Sequence, residues 1–395
     1  MNGLRWTTIF TLVTALFLLT SCASNDVKIG VIIPQEGSLA DYGYQIRSGI
    51  QMAYDEIQQS KQKGEIQKNY QLIMEREDQD LAKVEEAFHR LRKQGVTAII
   101  GAASSAATLK LAPLANEHKI VLISPASSSP EINQGTTDFV FRNHPSDTLE
   151  AQKLSNVIFQ KAKIQKCLMV RSRDAYSEGI TFELLKFARQ NSSSLPNEVV
   201  KFSANPEEVD WTAVVDRIVE IRPHAVFLAA YHNGLVPLIK TIREREDTKG
   251  IYIFTSSSLI LDEAVKELGK EALEGIMFTG YHWDPHENIP QVIEFTKSFK
   301  ENFHTDPTLF AATGYDAMKF LVTAIEDVNQ QLPDDLRSQI TKNAFTGILG
   351  ETDFNKRGDV TRIPVVYSVH DGARGEITEE EINKIKEDVL TRLED

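Results

Sequence analysis

From residue 27 onward, short runs of apolar and β-branched residues alternate with longer stretches whose apolar positions recur every three or four residues. "VKIGVII" (27–33) opens the series. "YQLIME", "VTAIIG", "IVLIS", "CLMVRS", "EVVKFS", "HAVFLAA", "IYIFTS", "GIMFTG" and "PVVYSV" continue it as predicted strands. Between them, a segment around 44–60 places Ile46, Ile50, Ala53 and Ile57 on one stripe. Residues 81–95 repeat the pattern with Leu81, Val84, Phe88 and Leu91, ending at Gly95. Strands alternating with amphipathic helices predict parallel sheets covered on both faces, and these strands are too many for one small sheet. The rhythm breaks near "FVFRNHPSD" (139–147), where Ser146 or Asp147 caps a new helix. The expected fold class is therefore α/β, with two doubly wound, Rossmann-like lobes.

Length agrees, because 395 residues exceed one ordinary core. No Gly/Ser tract or Pro run separates the lobes, and "NSSSLPN" (191–197) has only a surface-loop composition, so the lobes are expected to share several short crossings. The closing "TEEEINKIKEDVLTRLED" reads as a solvated, charged helix. A formal charge of −13 with no basic patch argues against nucleic acid or an anionic membrane surface as partner.

The amino terminus changes the picture. "MNGLRW" has Arg5 as its one charged side chain, and "TTIFTLVTALFLLT" (7–20) follows as an apolar core interrupted by threonines, shorter than a membrane span. Residues 1–21 read as a secretory signal. The quartet Leu19-Thr20-Ser21-Cys22 resembles the bacterial lipobox, which implies acylation at Cys22 and a lipid anchor at the extracytoplasmic face of a bacterial membrane. The second cysteine, Cys167, sits in a predicted buried strand and reads as a small hydrophobe.

Two serine-rich loops, "GAASSAAT" (101–108) and "ISPASSSPE" (123–131), follow directly on predicted strands. In open parallel sheets, ligands bind outside the carboxyl ends of the strands. Ser104 or Ser105 is a natural N-cap there, and a helix start favours an anion such as a carboxylate. Ala126-Ser127-Ser128-Ser129 could add hydroxyl and N–H donors. Read from the residues alone, capping and turn chemistry explain these loops as well as a ligand cradle does.

The chain resembles the type I periplasmic solute-binding proteins of ABC transporters, in the leucine/isoleucine/valine-binding branch. The resemblance rests on "IGVIIPQEGSLADYGYQIRSGIQMA", "VTAIIGAASSAATLKLAP", "VLISPASSSPEI", "FRNHPSD", "DAYSEG", "AAYHNG", "ATGYDA" and "FNKRGD", and covers nearly all of 27–375. It implies an anchored receptor that closes two lobes around a small carboxylate-bearing solute, an amino acid of the branched-chain type, and delivers it to permease and ATPase subunits. Lobe 1 would comprise 27–145 and 279–360, and lobe 2 would comprise 146–278 and 361–395 with the C-terminal helix.

Residue by residue, the resemblance places Ser105, Ala126 and Ser128 around the ligand carboxylate. Tyr42 would lie beside the ligand side chain, Tyr176 and Tyr231 would reach it from the opposite lobe, and Phe310 would wall the side-chain pocket. Packing is the competing reading of these rings. One departure matters. Branched-chain binders carry an acid in the loop after "IYIF" to pair the ligand ammonium, whereas this loop reads Thr255-Ser256-Ser257-Ser258-Leu259, with Ser257 as the candidate contact. A buried ammonium needs a carboxylate partner, so another acid replaces it or the solute lacks that charge. Asp174, Asp262 and Asp284 are the substitutes considered. The alternative is a ligand-sensing module of the same fold for an amide or other small polar solute in signalling.

Enzymatic chemistry finds no support in the motifs. G-x-S-x-G, H-E-x-x-H, C-x-x-C and P-loop patterns are absent from the sequence, and no cofactor is implied. In "HWDPH", Pro285 keeps His282, Asp284 and His286 off one regular helix face, so surface-loop residues are expected there, not a metal site.

Overall fold

Five parallel strands build the first sheet, in the order β2-β1-β3-β4-β5. They are β1 (Asp26–Pro34), β2 (Asn69–Glu77), β3 (Ala98–Gly101), β4 (Val121–Ser124) and β5 (Val140–Arg142). Every residue of β3 and β4 is buried, as strands covered by helices on both faces require. These relations come from a computed structural model that describes residues 26–134, 138–191, 198–328 and 333–394. The signal segment 1–21, Cys22 and most of "NSSSLPN" lie outside the described residues.

The second sheet repeats the winding. Its strands are β6 (Cys167–Ser172), β7 (Val199–Phe202), β8 (Ala225–Ala229), β9 (Tyr252–Thr255) and β10 (Met277–Gly280). They run parallel in the order β7-β6-β8-β9-β10. After a small hairpin of β11 (Phe345–Gly347) and β12 (Gly350–Thr352), the sheet is extended by β13 (Val365–His370) and β14 (Ala373–Glu376), both antiparallel. β13 is the predicted strand "PVVYSV", but a purely parallel expectation misses its direction and misses β14 altogether, which a tight turn at Asp371-Gly372 returns without a helix. Cys167 is buried in β6, where burial pushes its thiol up to about 12.

Among the described residues the chain passes between the two sheets three times, near 143–146, 281–289 and 353–364. Arg142, almost wholly buried, pairs with Asp359 at 2.6 Å, and Arg362 donates to the Asn143 carbonyl at 3.1 Å, which ties the first and third crossings together. Helices Ala40–Gln62 and Leu309–Glu326 pack closely in the first lobe. A Cβ at Gly49 would stand 2.0 Å from the Ala311 carbonyl oxygen, so only glycine permits that approach.

Three readings need correction. The C-terminal helix Glu379–Glu394 is not solvated all round, since Ile382, Ile385 and Val389 are buried in the second lobe. Leu81, placed on the apolar stripe of helix Leu81–Lys93, is 37 % exposed at the helix's first position, ahead of the turn that meets the sheet. "FVF" contributes the three-residue strand β5, too short to show a period. No helix among the described residues is long and apolar enough to cross a membrane.

Candidate functional site

The two serine loops meet at the carboxyl ends of β3 and β4. Ser104 caps helix Ser105–His118, its Oγ accepting from the Ala107 N–H at 3.1 Å. Ser105 is buried and accepts the Ser129 N–H at 3.2 Å. With that lone pair engaged, its O–H remains to be donated into the space beside the helix start. Most of the other hydroxyls are scaffold. Ser124 and Ser127 satisfy the carbonyls of Ala102 and Ala103, and Thr108 hydrogen-bonds Ser127 at 2.7 Å. Ser128 escapes this network and lines a cleft with Ser105 and Ala126.

That cleft lies between the lobes. Tyr42 and Phe310 close it from the first lobe with ring centroids 4.7 Å apart, edge to face. Tyr176 and Tyr231 stack at 5.0 Å on the second lobe's side, and Ser257 completes that wall. All eight residues that the sequence marks as ligand contacts therefore line one space. Tyr42 also joins the lobes. Its Oη donates to the Ser258 carbonyl at 2.6 Å and accepts the His232 N–H at 2.8 Å. Burial raises the phenols of Tyr176 and Tyr231 well above their ordinary value, so both remain neutral hydrogen-bonding groups.

The substitute acids do not reach this wall as free carboxylates. Asp174 caps the next helix and is held by Ser172 and Ser177. Asp262 is exposed, and Asp284 accepts the His286 N–H at 2.8 Å beside a neighbouring cavity. His282 pairs with Glu287 at 3.0 Å, so "HWDPH" uses its polar groups within its own loop.

Four residues escaped the sequence reading. Glu77, at the end of β2, accepts the N–H groups of Ala103 at 2.7 Å and Ser104 at 3.0 Å, holding the first serine loop. Burial raises its carboxyl to about 7, more than those bonds lower it. Glu150 is fully buried and takes four donors: the Ser257 N–H at 3.0 Å, the Ser257 hydroxyl at 2.6 Å, Tyr281 at 3.0 Å and Thr279. Ser257 thus spends its O–H on Glu150. Asp147 is fully buried, and its carboxylate has one nearby donor, the Ser128 hydroxyl, which lowers its pKa without meeting full hydrogen-bond geometry. Its N–H donates to the Ser128 carbonyl at 2.9 Å, which sets it beside the second serine loop. Burial, then the charge of Glu150, raises the Asp147 carboxyl strongly. The fourth, His144, lines the cleft itself. A clue to both acids lay in "PSDTLEA", where 147 and 150 share one helix face, but a capping aspartate looks the same in sequence whether it faces water or a cavity.

Comparison with known proteins places this arrangement among relatives. Residues 26–373 match the periplasmic binding protein family model. A leucine-, isoleucine-, valine-, threonine- and alanine-binding protein of Pseudomonas aeruginosa is 20% identical over 363 residues, covering 90% of this chain and 94% of its own. A leucine binding protein, LivK, from Thermotoga maritima superposes with a TM-score of 0.77 at 24% identity, covering 89% of this chain and 98% of that one. A solute binding protein of an R. palustris ABC transporter, in complex with benzoate, gives 0.77 at 17% identity, covering 89% and 95%.

Proposed function

The chain belongs to the periplasmic binding protein family, a family of solute-binding proteins and not of enzymes, and from that premise we propose that it captures an amino acid of the branched-chain type between its lobes. In this reading it is lipid-anchored through Cys22 at the extracytoplasmic face and delivers its solute to the permease and ATPase subunits of an ABC transporter. Ser105, Ala126 and Ser128 receive the carboxylate at the positive end of helix Ser105–His118. Tyr176 and Tyr231 close from the second lobe.

The observation that carries the amino-acid reading is Asp147. Glu150 is saturated and Asp174 is engaged, whereas Asp147 lies buried beside Ser128, whose hydroxyl is the one donor near its carboxylate, so most of its acceptor capacity is unspent. A buried carboxyl short of partners is costly, and an arriving ammonium supplies the missing donors and charge. Relatives named for leucine, isoleucine and valine support the same class.

Thermal unfolding of the soluble chain, stripped of co-purified solute, tests this against leucine, isoleucine, valine, threonine and their deaminated analogues. Ligand at 100 times its dissociation constant stabilises by about 2.7 kcal/mol. Stabilisation by an amino acid, lost in Asp147→Asn, is the expected result. A second reading, an acid without an ammonium group, is favoured by the acid-free loop Ser256–Ser258 and accords with the benzoate-bound relative. Stabilisation by deaminated acids alone would establish it in place of the first.

A further inference from the structure

His144 is 2 % exposed and lines the cleft, yet its Nε2 has no hydrogen-bond partner among the described residues. Its Nδ1 lies 3.2 Å from the Pro145 carbonyl oxygen. A carbonyl only accepts, so Nδ1 carries the proton and Nε2 presents a lone pair. Burial, helped by the nearby charges of Arg142 and Arg362, disfavours a second proton and pushes the imidazole down to about 4. The ring lies parallel to Phe310, with centroids 6.1 Å apart, and meets the edge of Tyr281 at 5.2 Å. Two of the rings packed against it, Phe310 and Tyr281, belong to the aromatic side of the site, and that is the side on which the imidazole stands.

We propose that the solute carries a hydrogen-bond donor on its side chain, accepted by the Nε2 of His144. This rests on the amino-acid reading above and narrows it to side chains that share the branched shape but hold an O–H or N–H. An apolar side chain sealed against that nitrogen takes it out of water with nothing in return. A site built around such a group rejects the analogue lacking the donor far more strongly than an apolar pocket rejects an added hydroxyl. Threonine is the near-isostere of valine, and asparagine of leucine, so shape cancels within each pair.

Calorimetric titration of the stripped protein with both pairs decides the matter. Threonine over valine, or asparagine over leucine, by at least tenfold is expected in the wild type. His144→Phe should erase that preference, and His144→Gln, which keeps an acceptor, should restore part of it. Valine and leucine binding as tightly as their polar partners would overturn the inference while leaving the amino-acid reading intact. If amino acids fail and only deaminated acids bind, that reading falls, and 4-hydroxybenzoate against benzoate becomes the pair. A tenfold preference for the hydroxylated acid then sustains the role of His144, and equal affinities end it. The wild-type ratios suffice even if a variant does not fold.

Discussion

At Glu77 a single buried carboxyl links loop geometry to pH. Its two bonds to the N–H groups of Ala103 and Ser104 hold the start of the ligand-facing helix, yet burial raises the group from its ordinary 4.5 to about 7. The folded chain then keeps a proton that the unfolded chain releases near 4.5, so stability from this group is full below that pH and is lost as pH rises toward about 7. The whole effect is on the order of 3 kcal/mol. Glu77→Gln, neutral throughout, should unfold at a midpoint that rises relative to wild type across this window; parallel midpoint curves would refute the assignment. Ser105 makes a different test. Ser105→Ala removes the donor proposed for the carboxylate, and titration should show affinity at least tenfold weaker with an unchanged circular dichroism spectrum, since hydrogen bonds to charged groups contribute about 1.5–3 kcal/mol.

Among the elements, close approach and amphipathicity decide what each helix does. Helices Ala40–Gln62 and Leu309–Glu326 carry the cleft residues Tyr42 and Phe310, and their contact at Gly49 aligns those two rings. Gly49→Ala should cost about 1–3 kcal/mol in urea unfolding through overpacking and also weaken ligand binding, because the two ring-bearing helices are forced apart. The C-terminal helix offers a contrast within one element. Ile382→Ala should cost about 2–5 kcal/mol, whereas the exposed Glu380→Ala should stay within about 0.5 kcal/mol. Equal, small losses in both would mean that this helix does not belong to the folded lobe.

For the whole molecule the question is how two lobes with separate cores act together. Tyr42 bridges them through Ser258 and His232, and parting the lobes has to break both bonds. Tyr42→Phe keeps the ring against Phe310 but loses both bonds, about 1–3 kcal/mol of closed-state stability. X-ray scattering should show a larger radius of gyration for the unliganded variant than for the unliganded wild type, and saturating ligand should bring the two together. Identical radii without ligand would show that Tyr42 does not set the closing equilibrium. Anchoring is tested by Cys22→Ala in the full chain, which should move the protein from the membrane fraction to the soluble one.

Much of this was written in the chain. Period-2 and period-3.6 patterns specify the alternation of strands and helices, and the order of its motifs carries the family. Ser105, Ala126 and Ser128 were legible because their loops follow strand ends, which topology brings to one side of a parallel sheet, whereas Tyr42, Tyr176, Tyr231, Ser257 and Phe310, the last on a helix that follows another helix, were legible only through the family resemblance. What the tertiary structure alone decided is which polar groups are spent. Ser257 and Ser258 look alike in sequence, yet one donates to Glu150 and the other to the Ala230 carbonyl, while Ser105 keeps its proton for the cleft. Likewise Glu150 is saturated, but Asp147 and His144, a few residues away, retain unspent acceptor capacity beside or within the cleft. Local sequence determines which atoms can donate or accept; only packing from distant segments determines which already have a partner, and the groups left without one are those proposed to meet the ligand.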